Sequence, residues 1–178
     1  MSRWRVHGER ALYRSDWLDL RLVDVELPSG PRFEHHVVRM PRPAAAAVVH
    51  DPERGVLLIY RHRFITDSWG WEVPAGAIDP GETPADAARR EAIEESGWEP
   101  TALRPVGSYF PTNGLCDQTF HILTADSARL IGDPVNCDET ERVAWLPAEQ
   151  VLELIENGDV RDGFSLTALL WTLFAHSD

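Results

Sequence analysis

Seven residues, Gly76, Glu82, Arg90, Glu91, Glu94, Glu95 and Gly97, stand at fixed offsets within the 23-residue stretch GAIDPGETPADAARREAIEESGW. If each type fills about one position in fifteen, all seven fall into register by chance roughly once in 10⁸ starting points. A chain of 178 residues offers too few starts for that. Glu91, Glu94 and Glu95 are spaced i, i+3 and i+4, which puts three carboxylates on one helix face within about a hundred degrees of arc. Ionised carboxylates that close repel one another, and only Arg90 and Arg89 offset them locally. A divalent cation resolves the conflict. All-oxygen sites suit Mg²⁺ or Mn²⁺, and Mg²⁺ commonly joins protein carboxylates to the phosphates of a substrate. The chemistry implied is metal-assisted hydrolysis at phosphorus. The plain alternative, a solvated acidic face with i,i+4 charge pairs, leaves Gly76, Glu82 and Gly97 without a reason for their register.

These residues need a helix to hold them. Thr83 suits the N-cap, Pro84 the first helical position, and Asp86 stands where its carboxylate can answer the cap's backbone N–H. Gly97 suits the C′ position, so the pattern predicts a helix over Pro84–Ser96. Its other face carries Ala85, Ala88 and Ala92, small enough to lie close against a sheet, while Gly76 and Gly81 bracket a tight loop. Alternation and breakers predict strands over Ala11–Tyr13, Leu18–Glu26, Arg32–Arg39, Ala45–His50, Gly55–Tyr60, Trp71–Val73, Leu103–Pro111, Gln118–Thr124 and Arg142–Pro147. Two further helices follow, over Pro147–Glu156 and Phe164–His176, the second capped near Asp162. Strands with helices outside them fit an α/β/α sandwich.

The glutamate-rich box resembles the signature of the Nudix hydrolases. That resemblance implies an α/β fold, a Nudix-type α/β/α sandwich with a mixed sheet, preceded here by an N-terminal β extension. The expected division is residues 1–40 for the extension and 41–178 for the hydrolase domain. By resemblance Glu91, Glu94 and Glu95 are metal ligands for Mg²⁺ or Mn²⁺, assisted by the carbonyl of Ala75. Glu82 and Arg90 form a supporting ion pair, and Gly76 and Gly97 shape the loop and the helix end.

Outside the box, RHRFITDSWGWEVPAGAID resembles the approach to the box in Nudix enzymes that cleave ADP-ribose and related nucleoside diphosphate sugars. Arg63 then binds a phosphate, its planar fork suiting the task, and Glu72 contacts base or ribose. The plain alternative for Arg61 and Arg63 alike is ordinary surface charge. Pro111 resembles a downstream marker of the ADP-ribose pyrophosphatases, but Gln118 stands near where those enzymes carry a glutamate. The 160–170 run is similar to their final helix. A general base is expected on the loop Gly132–Glu141, with Glu139 first, Glu141 second and Asp138 behind them; a box glutamate such as Glu94 is the alternative. The implied reaction releases a nucleoside monophosphate and a sugar phosphate. House-cleaning hydrolysis of nucleoside triphosphates or dinucleoside polyphosphates, and nucleotide sensing without turnover, are the competing readings. The N-terminal hairpin is of the kind that related enzymes exchange between subunits of a homodimer.

Composition bounds the setting. With 43% apolar and 26% charged residues the chain reads as a soluble globular protein. A net charge of −12 speaks against a nucleic-acid backbone as partner. No run has the length of a signal peptide or membrane span, so the expectation is a cytoplasmic protein without a membrane partner. Cys116 and Cys137 have neither disulfide nor zinc spacing. Of seven Trp, four (Trp17, Trp69, Trp71 and Trp98) are candidates for stacking on a base.

Overall fold

The structure, a computed structural model, describes residues 2–135 and 139–174. The chain forms two compact units, Met1–Pro43 with Phe110–Thr119, and Ala44–Tyr109 with Phe120–Asp178.

The first unit is an antiparallel meander of β1 (Arg5–Arg14), β2 (Asp19–Glu26) and β3 (Arg32–Arg39). Leu27 and Pro31 close the β2–β3 turn, where the Leu27 N–H donates to the Pro31 carbonyl at 2.8 Å. Val23 and Val25 of the central strand are buried, whereas β1 is exposed along its whole length. That exposure explains why only Ala11–Tyr13 of β1 reads as a strand from sequence: with no buried face there is no apolar alternation. Phe110–Thr119 joins this unit through a parallel bridge between Val38 and Cys116 and a bond from the Val38 N–H to the Leu115 carbonyl.

The second unit is a mixed sheet with helices on both faces. Its strands β4 (Ala44–Asp51), β5 (Gly55–Arg63), β9 (Arg104–Tyr109), β10 (Phe120–Ala125) and β12 (Arg142–Leu146) run in the order β12-β5-β4-β10-β9. Only the β4–β10 pair is parallel among them; β6 (Ser68–Glu72) pairs with β5 and β7 (Ala75–Ala77) with β4, both antiparallel. Along β4, Ala45 and Ala47 face one way, onto Ala88 and Ala92 of α1 (Pro84–Ser96). Ala44, Ala46 and Val48 face the other way, onto Val151 of α2 (Ala148–Glu156) and Phe164, Ala168 and Leu169 of α3 (Gly163–Phe174). Period-two alternation thus feeds two cores from one strand. Each fully buried Val, Leu or Ile contributes about 1.5–3 kcal/mol, and the alanines let the α1 backbone approach the sheet.

The Nudix-type sandwich expected from sequence is the fold observed. Three strands were not anticipated: β7, β8 (Trp98–Pro100) and β11 (Ala128–Leu130). At three residues each they carry no period to read. The Trp71–Val73 strand is displaced to Ser68–Glu72, because Trp71 pairs with Tyr60 and Pro74 ends the ladder. No described helix is long and apolar enough to cross a membrane.

Candidate active site

Helix α1 begins and ends as its sequence requires. The Thr83 hydroxyl accepts from the Asp86 N–H and the Asp86 carboxylate accepts from the Thr83 N–H, both at 3.2 Å, completing a capping box. Gly97 closes the helix with φ +76, where a Cβ would also meet the Gly132 carbonyl oxygen at 2.1 Å. Gly76 has a different reason: a Cβ there would meet Glu91 Oε1 at 2.1 Å. The missing side chain lets the Glu91 carboxylate lie on the backbone of β7.

Arg90 ties the loop to the helix. Its Nε and Nη2 donate to Glu82 at 2.9 and 3.0 Å, Nη2 also donates to the Ala77 carbonyl at 2.9 Å, and Nη1 donates to Glu91 at 2.7 Å and Glu94 at 3.2 Å. The Arg90 guanidinium, with the Asp79 N–H, lowers the Glu82 carboxyl to about 2. The expected Glu82–Arg90 pair is therefore present. Burial pushes Glu91 above the usual carboxylate range, against the pull of Arg90, and the charges of Glu94 and Glu139 push the same way.

Glu95 is 2% exposed. Its Oε1 accepts from Arg61 Nη1 at 2.5 Å and its Oε2 from the Ala75 N–H at 2.9 Å. Burial nevertheless raises its pKa to about 7. Arg61, read from sequence as surface charge, is only 6% exposed. The correction follows from strand parity: Arg61 continues the face of the buried residues Leu57 and Ile59. Its Nη2 reaches out to Glu139 Oε2 at 2.5 Å. Glu139 is thereby brought to the box. Glu141 is exposed one residue before β12, its backbone N–H bonded to the Tyr60 carbonyl at 2.9 Å. Asp138 and Cys137 lie outside the described residues.

The donor set suits a hard divalent cation: three carboxylates on one helix face, in a cradle that a Cβ at Gly76 would fill. Among the described residues no three acidic, His or Cys side chains converge closely enough to share an ion. In this arrangement Glu91 and Glu94 face Arg90, and Glu95 faces Arg61.

Two residues beyond Arg61 on β5, Arg63 lines a cavity of about 490 Å³ together with Trp69, Glu72, Arg161 and Asp162, among others. Arg63 binds Glu72 in a fork, Nε at 2.9 Å and Nη2 at 2.6 Å, and Glu72 is buried. Trp69 is half exposed and stacks on Tyr60 at 5.5 Å, with the rings 19° apart. Asp162 caps α3, accepting from the Ser165 N–H and hydroxyl, both at 2.8 Å. Arg161 had no signal in the sequence, since nothing in the pattern brings the turn before α3 to the β5–β6 hairpin. Of the other tryptophans, Trp98 packs edge-on against Trp145 and Trp71 packs against the core, so neither offers a free face; Trp17 is exposed in the N-terminal unit. Pro111 and Gln118 also fall in that unit, where Gln118 Nε2 donates to the Arg42 carbonyl at 3.1 Å.

Residues 40–165 match the NUDIX domain. The chain belongs to the Nudix family. It is a Nudix pyrophosphohydrolase, and within the family it is ADP-ribose pyrophosphatase-like. The chain is 44% identical, over 88% of its length and 75% of the relative's, to a CMP-5'-(N-acetyl-N-hydroxy-3-aminopropyl)phosphonate hydrolase of Streptomyces rubellomurinus. It is 29% identical, over 91% and 88%, to the ADP-ribose pyrophosphatase of Bacillus subtilis. In fold it is similar to a crystal structure of an ADP compounds hydrolase, with a TM-score of 0.82 over 96% of this chain and 92% of that one, at 22% identity.

Proposed function

We propose that the protein hydrolyses the diphosphate linkage of a nucleoside diphosphate sugar, with ADP-ribose as the first candidate, giving a nucleoside monophosphate and a sugar phosphate. The observation that carries this reading is that two parts share strand β5: Arg61 bonds to the box carboxylate Glu95, and Arg63, two residues on, lines a cavity of about 490 Å³ with the half-exposed Trp69. When bound at Glu91, Glu94, Glu95 and the Ala75 carbonyl, Mg²⁺ or Mn²⁺ would neutralise the diphosphate and acidify a water. The chain's own groups do the rest. Glu139 accepts the proton of the attacking water as a new O–P bond forms and the bridging P–O bond breaks. Arg63 commits Nε and Nη2 to Glu72 and, among the described residues, has Nη1 left for a phosphate oxygen. Trp69 supplies a π-face for a base or for the ring of a sugar.

A second reading is favoured by the 44% identical relative, whose name describes cytidine monophosphate joined to a phosphonate. The same attack at phosphorus would then release CMP and a free phosphonate. A panel of ADP-ribose, a CMP-phosphonate, GDP-mannose, UDP-glucose, dinucleoside polyphosphates and nucleoside triphosphates, each with Mg²⁺ and Mn²⁺, separates the readings. Fastest turnover of ADP-ribose supports the first, and fastest turnover of the CMP-phosphonate replaces it with the second. Preference for triphosphates or dinucleoside polyphosphates would sink both. We further propose a cytoplasmic homodimer built through the N-terminal meander, whose Trp4, Val6 and Phe33 are exposed. Light scattering that gives a 20.1 kDa monomer would overturn the dimer.

A further inference from the structure

We propose that Arg61 is a positioning residue of this hydrolase: buried at the end of β5, its guanidinium ties the loop carboxylate Glu139 to the box carboxylate Glu95. It thereby fixes where Glu139 stands over the carboxylate face. The inference rests on the reading that Glu139 takes the proton of the attacking water.

The geometry departs from simple charge compensation. Neutralising the buried Glu95 needs one ion pair, which Nη1 supplies at 2.5 Å. Nη2 makes a second pair of the same length to Glu139, whose side chain is 55% exposed and could be solvated by water instead. The planar fork thus spans two elements that are 44 residues apart in sequence, Glu95 on α1 and Glu139 on the loop before β12. Nε of Arg61 is buried and has no acceptor among the described residues. The side chain therefore gives up a hydrogen bond of its own while both Nη atoms are engaged, and unsatisfied buried donors are rare without a reason. Two backbone bonds stand on either side of Glu139 in sequence: the Val135 N–H donates to the Glu94 carbonyl at 2.9 Å, and the Glu141 N–H to the Tyr60 carbonyl at 2.9 Å. Among the described residues, Arg61 is the partner that directs the Glu139 carboxylate. A lysine carries a single ammonium and lacks the rigid fork that holds two carboxylates at a fixed separation.

The test is a kinetic cycle with Arg61→Gln, Arg61→Lys, Glu139→Gln and the Arg61→Gln/Glu139→Gln double variant, using ADP-ribose, or the CMP-phosphonate where that is the compound turned over. Partners that orient an active-site group typically cost about 10- to 100-fold when removed. Arg61→Gln is expected to lower kcat by about that factor while KM changes little, Arg61→Lys to recover little of it, and the double variant to be no slower than Glu139→Gln alone. Hydrogen exchange on the metal-free protein supplies a readout independent of turnover: amides of Glu139–Arg142 should exchange faster in Arg61→Gln and in Glu139→Gln, with α1 still protected. Losses that multiply in the double variant, or unchanged exchange at Glu139–Arg142, overturn the role of Arg61. Wild-type turnover by Glu139→Gln overturns instead the assignment of Glu139 as the base. If Arg61→Gln does not fold, Arg61→Lys and the exchange of Glu139→Gln still decide the matter.

Discussion

Two regions of this molecule are laced with arginine–carboxylate pairs, and they differ in where those pairs lie. On the N-terminal meander Arg32 meets Asp24, Arg10 meets Glu34, and Arg39 meets Glu9 and Asp117, with much of each arginine open to water. Around the box Arg61 meets Glu95 with both side chains almost wholly buried, and Arg90 gathers Glu82, Glu91 and Glu94. Exposed pairs are weakened by solvent and salt and contribute little. Buried pairs cost desolvation, and removing one partner leaves a charge stranded. The same residue types therefore act as a solubilising surface in one unit and as a site with fixed geometry in the other.

The largest loss is expected at Glu95. Glu95→Gln keeps the shape but removes the charge, and it should lower turnover at least 100-fold, roughly the upper end of what orienting partners alone cost, while the protein still folds. Retained activity, measured with Mg²⁺ and Mn²⁺, would sink the ligand assignment. Two glycines then sharpen the difference between site and scaffold. Gly97→Ala places a Cβ at a left-handed φ of +76 and against a backbone oxygen 2.1 Å away, so something in the backbone must shift. A strained φ of this kind costs about 1–3 kcal/mol, which thermal denaturation should show. Gly76→Ala meets only the end of the Glu91 side chain. It should therefore leave the melting temperature nearly unchanged and lower turnover about 10-fold by displacing that carboxylate. The opposite ranking of the two variants in stability would refute the account of Gly76.

This difference between burial and residue type also marks what could be read from sequence. The box helix was legible to the residue, because Thr83, Pro84, Asp86 and Gly97 act locally and the structure keeps each of those contacts. The Glu82–Arg90 pair was legible only through the resemblance to the Nudix box. Arg61 was misread because its meaning depends on strand parity carried over from Leu57 and Ile59, and the neighbouring Arg63 looked the more chemical of the two. Arg161 was not legible at all, since it meets the β5–β6 hairpin only through the tertiary placement of the turn before α3. Short elements failed for a different reason: three-residue strands such as β8 and β11 exist because they pair with each other, and carry no period of their own.

Acid separates the regions next. Glu82 has a folded pKa of about 2 against an ordinary value of 4.5, set first by Arg90 and then by the Asp79 N–H. A depressed carboxyl stabilises the fold fully above its unfolded value, and that contribution is lost as pH falls from about 4.5 through about 2. Melting temperature should thus decline over that window, and Glu82→Gln should flatten the decline. Glu82 is partly exposed, at 23% of its side chain, so the slope should be modest and should shrink in high salt.

The smallest effect is predicted where the pairs look most numerous. Arg32 forks onto Asp24 on the face of the meander, and Arg32 holds the Asp24 carboxyl below its ordinary range. Judged by geometry alone this pair resembles those of the box. Half of the Arg32 side chain is nevertheless exposed, so water and salt replace most of what Asp24 provides. Arg32→Ala should leave both turnover and melting temperature within experimental scatter. A clear loss of stability in that variant, at physiological salt, would mean that the face of the meander carrying Asp24 and Arg32, opposite Val25 and Phe33, is buried too. It would turn the surface pairs of the first unit into interface pairs and erase the distinction between the two regions.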